Sequence, residues 1–424
     1  MIGNIIKHER KKQGMKQGVL AKGICSPSYL CKIENNQVES SSEILSLLLE
    51  RLNIKINISE KNSIDNIDYR KELLEIYEEV RRLKSIKLTQ EKYNDLLKKQ
   101  SRYSSRTAYC DYKLVVLNML LMLHKTSPEI ERELSLFNNQ ESDLDNLQLY
   151  LYKKCMAIHH YHNHHYELAS LIFDQTILIY PQRYFDDFEK ADLNYMNALA
   201  KLANNQYLAS INEIKLSTNY FIDNLMFTRV IECLLVEGIS YQKVQNLNKS
   251  QEIYLKALKF SMESNNEKYN AIIYQNLGSV TAAIGDLNLS LEYYLNSLDL
   301  KVDVEDQLLT IFSIIQVYSR KMDKNNMQIW LEKGLKLIEN KKNLQSYYYH
   351  FNIYKQLFLQ FNDLKFLNSA IKYFEDIKDY RHTYKYGIKV AELLKLNGKY
   401  KQASEYFEKS ISYKNYKILH WEDL

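Results

Sequence analysis

The chain has 424 residues, too many for one ordinary core, so two or more domains or one extended repeat array are expected. Hydrophobic residues make up 46%, which excludes a disordered chain, and only three prolines and ten glycines exclude an all-β architecture with its frequent turns. The net charge of +5 is localised: residues 1–38 hold seven basic and two acidic side chains, and the remainder sums to zero. A basic head on a neutral body points to an anionic partner for the head alone.

Five cysteines, an odd number with no CxxC, read as reduced thiols. The start MIGNIIKHERKK has no signal-peptide core. The longest apolar run, Leu114–Leu123, is about half a membrane span and is interrupted by Asn118. The expectation is a soluble cytoplasmic protein without a membrane partner.

In chain order, Ile2, Ile5 and Ile6 give a first short helix one apolar face, and Gly14 ends it. Gln17–Lys22 reads as a second helix stopped by Gly23. Ser26 caps a third helix, with Pro27 in its first turn, where a missing N–H costs nothing. Leu30 and Ile33 share its inner face, while Ser28, Tyr29 and Lys32 are free to face outward. Ser40 and Glu43 suggest a capping box for a fourth helix, with Ile44, Leu47, Leu48 and Leu52 inward.

The run Met15–Asn36, and within it G-I-C-S-x-S-Y-L-x-K-I-E-N over Gly23–Asn35, resembles the helix-turn-helix of the Cro/repressor-like class. It is most similar to that of the peptide-responsive Rap/Rgg/NprR/PlcR/PrgX superfamily, in the layout of NprR and PlcR. Lys16 departs from the usual Ser or Thr cap, and Gly18 costs helix stability relative to Ala by up to about 1 kcal/mol. In such a module the third helix enters the major groove. The expected DNA-binding residues are therefore Pro27, Ser28, Tyr29 and Lys32 on this helix, Ser28 and Tyr29 reaching bases and Lys32 guanine or phosphate, with Arg10, Lys11, Gln17 and Asn36 holding the backbone. One small head reads few bases, so a homodimer or higher homo-oligomer on a palindromic or repeated operator is expected.

The polar stretch 59–68 is taken as a linker between a head at 1–58 and a body at 69–424. From Tyr69 a long amphipathic helix begins, with Leu73, Ile76, Tyr77, Val80 and Leu83 at helical spacing. Farther on, Gly238, Ser250, Tyr254 and Ala257 are echoed by Gly278, Ser290, Tyr294 and Ser297. Ala157, Ala169, Phe173 and Thr176 repeat the scheme, as do Ala391, Ala403, Phe407 and Ser410. Small residues where paired helices touch, followed by an aromatic knob, are the tetratricopeptide pattern. Anchors at Ala169, Ala209, Ser250 and Ser290 repeat about every 40 residues, with room for roughly nine pairs and an ambiguous register near Met327 and Ala370. The expected fold is all-α: the helix-turn-helix domain followed by a right-handed helical solenoid.

No phosphate-cradling glycine loop, GxSxG elbow or HExxH motif occurs, so neither an enzyme nor a cofactor is expected. The run His159–His165 has helical spacings but no completing ligand, and reads as a polar turn rather than a metal site. The superfamily resemblance implies a short signalling peptide as ligand along the first helices of the pairs. On this register the polar candidates are Asn194, Asn197, Lys201, Gln242, Gln275, Asn276, Gln316 and Arg320. Amides can hold an extended backbone, and Lys201 or Arg320 a carboxylate. The alternative is an adaptor that binds, and inhibits or dephosphorylates, a response regulator of the sporulation relay.

Overall fold

The structure, a computed structural model, describes residues 2–56, 64–98, 102–103, 105–138, 140–339, 341–359 and 363–414. It forms two units, Met1–Asn205 and Gln206–Leu424.

The first unit opens with α1 (Ile2–Lys12), α2 (Gln17–Ala21), α3 (Pro27–Glu34), α4 (Ser42–Arg51) and strand β1 (Lys55–Ile56). There follow α5 (Ile64–Leu83), α6 (Ile86–Lys98), strand β2 (Arg102–Tyr103), α7 (Arg106–Met122), α8 (Ser127–Leu134), α9 (Asn146–His162), α10 (Tyr166–Leu178) and α11 (Asp187–Ala203). Helix α4 is capped by Ser41, not Ser40, which shifts its buried face to Leu48, Leu49 and Leu52 and leaves Leu47 about half exposed. Helix α5 starts at Ile64, so residues 64–68 of the expected linker are helical and 59–63 lie outside the described residues. The polar character of that stretch is in part that of an exposed helix face, as Ile67 and Asp68 show.

The head does not stand apart from the helices after it. Its core of Ile5, Leu20, Leu30, Ile33 and Leu48 runs without a break into Tyr103, Tyr109 and Leu117. β1 pairs in parallel with β2, Lys55 opposite Arg102 and Ile56 opposite Tyr103. Deeper in the unit, Lys154 of α9 donates to Glu189 of α11 at 2.6 Å, and Tyr77 and Tyr150 donate to the same oxygen at 2.7 Å. Arg81 of α5 pairs with Asp192 of α11. Each of these buried ions has a partner, without which its desolvation would cost several kcal/mol.

The second unit is a regular run of helices: α12 (Tyr207–Asp223), α13 (Phe227–Lys243), α14 (Leu247–Glu263), α15 (Glu267–Ile284), α16 (Leu287–Asp299) and α17 (Val304–Arg320). It ends with α18 (Lys324–Ile338), α19 (Gln345–Phe358), α20 (Leu364–Asp376), α21 (Tyr380–Leu396) and α22 (Tyr400–Lys414). Within the first unit α7 pairs with α8 and α9 with α10, and within the second unit α13 to α22 pair in chain order.

The helix starts fix the register that the sequence left open. Three residues into every second helix from α10 to α22 stand Ala169, Ser210, Ser250, Ser290, Met327, Leu367 and Ala403, all buried. The anchor is therefore Ser210 rather than Ala209, and Leu367 rather than Ala370. Met and Leu replace the small residue in the two pairs whose register was ambiguous, which is why the pattern faded there. Where the small residue persists the helices close tightly: Ser250 and Ser290 each donate a 2.7 Å hydrogen bond to the carbonyls of Gly238 and Gly278. A Cβ on Gly238 would lie 2.4 Å from the Tyr254 ring, and one on Gly278 2.6 Å from that of Tyr294. Left-handed residues end the first helices of several pairs, among them His164, Asn205, Gln245 and Gly285. Glycine is the residue that takes this conformation without strain.

Candidate nucleic-acid interface and ligand face

Ser26 accepts the Tyr29 N–H at 3.1 Å and fixes the start of α3, with Pro27 in the first turn. Leu30 and Ile33 anchor its inner face, and Gly3 lets α1 approach its end, since a Cβ there would sit 1.9 Å from the Ile33 carbonyl. Glu34, only 1% exposed, receives Arg10 Nε at 2.5 Å, Arg10 Nη2 at 2.9 Å and Gln17 Nε2 at 2.7 Å. One carboxylate thus ties α3 to both α1 and α2. Arg51 closes α4 onto α2 through the carbonyls of Leu20 and Lys22.

Pro27, Ser28 and Lys32 are exposed on α3, and Lys11 is exposed at the end of α1. Tyr29 is half-buried against the head core, so it is less free to reach a base than its position suggests. Arg10 corrects the sequence reading: it is buried, and its remaining Nη1 donates to the Met15 carbonyl at 2.7 Å, so it holds the fold and not a phosphate. Gln17 is half-buried with its amide nitrogen committed to Glu34. Asn36 is exposed and donates to Asn4 at 2.8 Å.

Sequence reasoning missed how α1 is held from behind. Glu9 accepts from the Tyr109 hydroxyl at 2.6 Å and pairs with Lys113 at 2.7 Å, both on α7. Lys113 also reaches Glu133 of α8 at 3.2 Å, and His8 lies 3.4 Å from the same carboxylate. Burial would raise Glu133, but the neighbouring His8 ring and the charge of Lys113 outweigh it and hold this acid far below its ordinary range. Glu9 is lowered too, Lys113 and the Tyr109 hydroxyl together overcoming its burial. The signal in the sequence was Lys113, a charge at the edge of the chain's longest apolar run.

The expected ligand residues fall on the first helices of their pairs, but many are already engaged. In the first unit, Asn197 and Lys201 both contact Asp174 at 2.8 Å, and Asn194 beside them is buried. In the second, Gln242 of α13 donates to Ser279 of α15 at 3.1 Å, and Gln275 of α15 donates to Ser313 of α17 at 3.0 Å. Arg320 of α17 donates to the Ala282 carbonyl at 2.7 Å. These side chains lace neighbouring first helices together. Gln275 is engaged at both ends of its amide, since its oxygen also accepts from Thr310 at 2.8 Å. Asn276 is buried, whereas Gln316 is partly open. The carboxylate role expected of Lys201 does not fit a nitrogen already paired with Asp174.

Among the described residues no group of His, Cys, Asp and Glu is arranged to hold a metal ion, and no helix is long and apolar enough to cross a membrane. In the histidine run, Asn163 bonds His159, and His164 bonds the Tyr166 hydroxyl at 2.7 Å. Burial and the neighbouring His124 push His162 down to about 4.

These features define a helix-turn-helix domain followed by a tetratricopeptide-like helical array. Residues 6–58 match the helix-turn-helix family model. The transcriptional activator NprA of Geobacillus stearothermophilus is 26% identical over 418 residues, covering 93% of this chain and 98% of that protein. The apo quorum sensor NprR from B. thuringiensis superposes with a TM-score of 0.70 at 18% identity, over 83% of this chain and 99% of that one. NprR in complex with its cognate peptide NprX gives 0.55 at 18% identity, over 81% and 99%. The chain is thus similar over nearly its whole length to the activator NprA, and it shares the fold of NprR.

Proposed function

We propose that the protein is a peptide-responsive transcription regulator and not an enzyme. The head binds a DNA operator, and the helical array binds a short linear peptide whose arrival changes DNA binding through the assembly of a homodimer or larger homo-oligomer. The observation that carries this reading is the exposed face of α3, with Ser28 and Lys32 outward on a helix locked through Glu34 to α1 and α2. A helix so held presents side chains to the major groove at little entropic cost. Support for the peptide comes from the NprR structure that contains one.

Ser28 and Lys32 read bases, Lys11 and Asn36 neutralise or bond the backbone, and Gln17 contributes its free carbonyl oxygen and main chain. The test is selection of operator fragments by the full-length protein, followed by titration at fixed salt. Lys32→Ala is expected to cost roughly 1–3 kcal/mol and relax one base position. Equal affinity of wild type and Lys32→Ala for selected and random DNA would overturn the assignment. It would leave the array acting as an adaptor for a response regulator.

A further inference from the structure

The carboxylate-binding role that Lys201 cannot fill has stronger candidates on α21. Arg381, Lys385 and Lys389 are spaced four apart, so they stand on one helix face over about 12 Å. All three are partly buried, and among the described residues neither Lys385 nor Lys389 forms an ion pair with a carboxylate. Burial, then the charges of Arg381 and Lys389, push Lys385 down to about 8. Lys243, at the end of α13 four pairs earlier in this unit, is lowered by burial and by the charge of Arg381. Asp379 acts on Arg381 and also bonds His382 at 2.7 Å.

An apolar floor adjoins this row. Lys389 lies 5.2 Å from the centre of the Phe358 ring, Phe358 stacks on Tyr354 at 5.3 Å, and Tyr354 meets Phe312 edge-on at 5.4 Å. Like charges held together in a half-desolvated place are costly unless an anion joins them. An anion that carries an apolar neighbour would use both parts of the surface.

We propose that Lys385 and Lys389, assisted by Arg381 and Lys243, form the acid-recognising end of the peptide site, taking an Asp or Glu side chain or the C-terminal carboxylate of a short linear peptide. The residue next to that acid packs on Phe358, which the buried Tyr354 ring supports from beneath. This rests on the peptide-responsive reading above and adds the charge of the ligand to it.

The test uses the full-length protein and a pool of random heptapeptides, free or amidated at the C-terminus, with retained peptides identified by mass spectrometry. The expected result is enrichment of Asp and Glu, or loss of retention on amidation. Lys385→Gln and Lys389→Gln should each weaken the selected peptides at least five-fold, and Lys385→Glu should turn the selection toward Lys- and Arg-bearing peptides. Thermal unfolding of Lys385→Gln guards against misfolding: relief of repulsion should leave Tm equal or higher. A fall in Tm would mean that Lys385 serves the fold, and would overturn its assignment. Retention of peptides with no acidic preference, or a preference that survives in the Lys385→Gln/Lys389→Gln double variant, would overturn the acid site alone. No retention of any peptide would overturn the peptide-responsive reading with it.

Discussion

Lys113→Met is the sharpest test of how the head is held. Lys113 is 2% exposed and is the cation between Glu9 at 2.7 Å and Glu133 at 3.2 Å. Met keeps most of the side-chain volume, so the loss is of charge and hydrogen bonds rather than packing. Two buried carboxylates would then face each other with only His8 and the more distant Lys12, 3.9 Å from Glu133, to compensate. Leaving a buried ion without its partner costs about 3–5 kcal/mol. The variant should therefore lose roughly that much stability in urea unfolding of the first unit. The triple variant Lys113→Met/Glu9→Gln/Glu133→Gln removes the stranded charges and should recover more than half of it. A fluorophore pair on the head and on α10 should show a broadened distance distribution in the single variant and a narrower one in the triple. A single variant as stable as wild type, or a triple variant worse than the single, would refute the view that this cluster joins head and body.

Arg10→Met should destabilise by a similar 3–5 kcal/mol, because Glu34 keeps only the Gln17 amide, whereas Lys11→Ala should leave stability intact and lower the salt slope of DNA binding by about one. If Arg10→Met only reduced DNA affinity, Arg10 would be a phosphate contact after all. Gly238→Ala drives a Cβ to 2.4 Å from the Tyr254 ring, which should cost about 1–3 kcal/mol of overpacking, offset by up to about 1 of helix propensity. Equal melting of Gly238→Ala and wild type would show that the pair is not close-packed there. Glu9 and Glu133 both have lowered folded pKa values, so their contribution is fully present above the ordinary carboxylate pKa of 4.5 and is lost as pH falls below it. Wild type should lose more stability between pH 5 and about 2.5 than Glu133→Gln does, as followed by urea midpoints; parallel curves would contradict the assignment.

Local chemistry was legible in the sequence wherever a short motif decides the outcome. The Ser26 cap, Pro27 and the glycine stop at Gly23 define α3, and Gly238 with Tyr254 defines a repeat, because each acts through neighbours near in sequence or one pair away. Long-range pairing was not legible. Glu34 and Arg10 are 24 residues apart and Glu9 and Tyr109 are 100 apart, and no periodicity links them. A basic count over residues 1–38 therefore assigned Arg10 to DNA, when the fold had already used its charge.

On the proposed reading, the same long-range pairing decides how a change in the first unit would reach the head. A head on a polar tether would sample many orientations, and strain in the array would dissipate in the tether. Here the head core, the β1–β2 pair and the Glu9–Lys113–Glu133 cluster are continuous with α7 and α8. A shift in the first pairs must then either carry α3 with it or break buried ions at a cost of several kcal/mol. Switching a two-state population from 1:99 to 99:1 requires about 5.5 kcal/mol of differential ligand affinity. That is comparable to the cost of opening the joint, so under the proposed peptide control a head that moves as a rigid extension would leave far more of the ligand's energy for the switch.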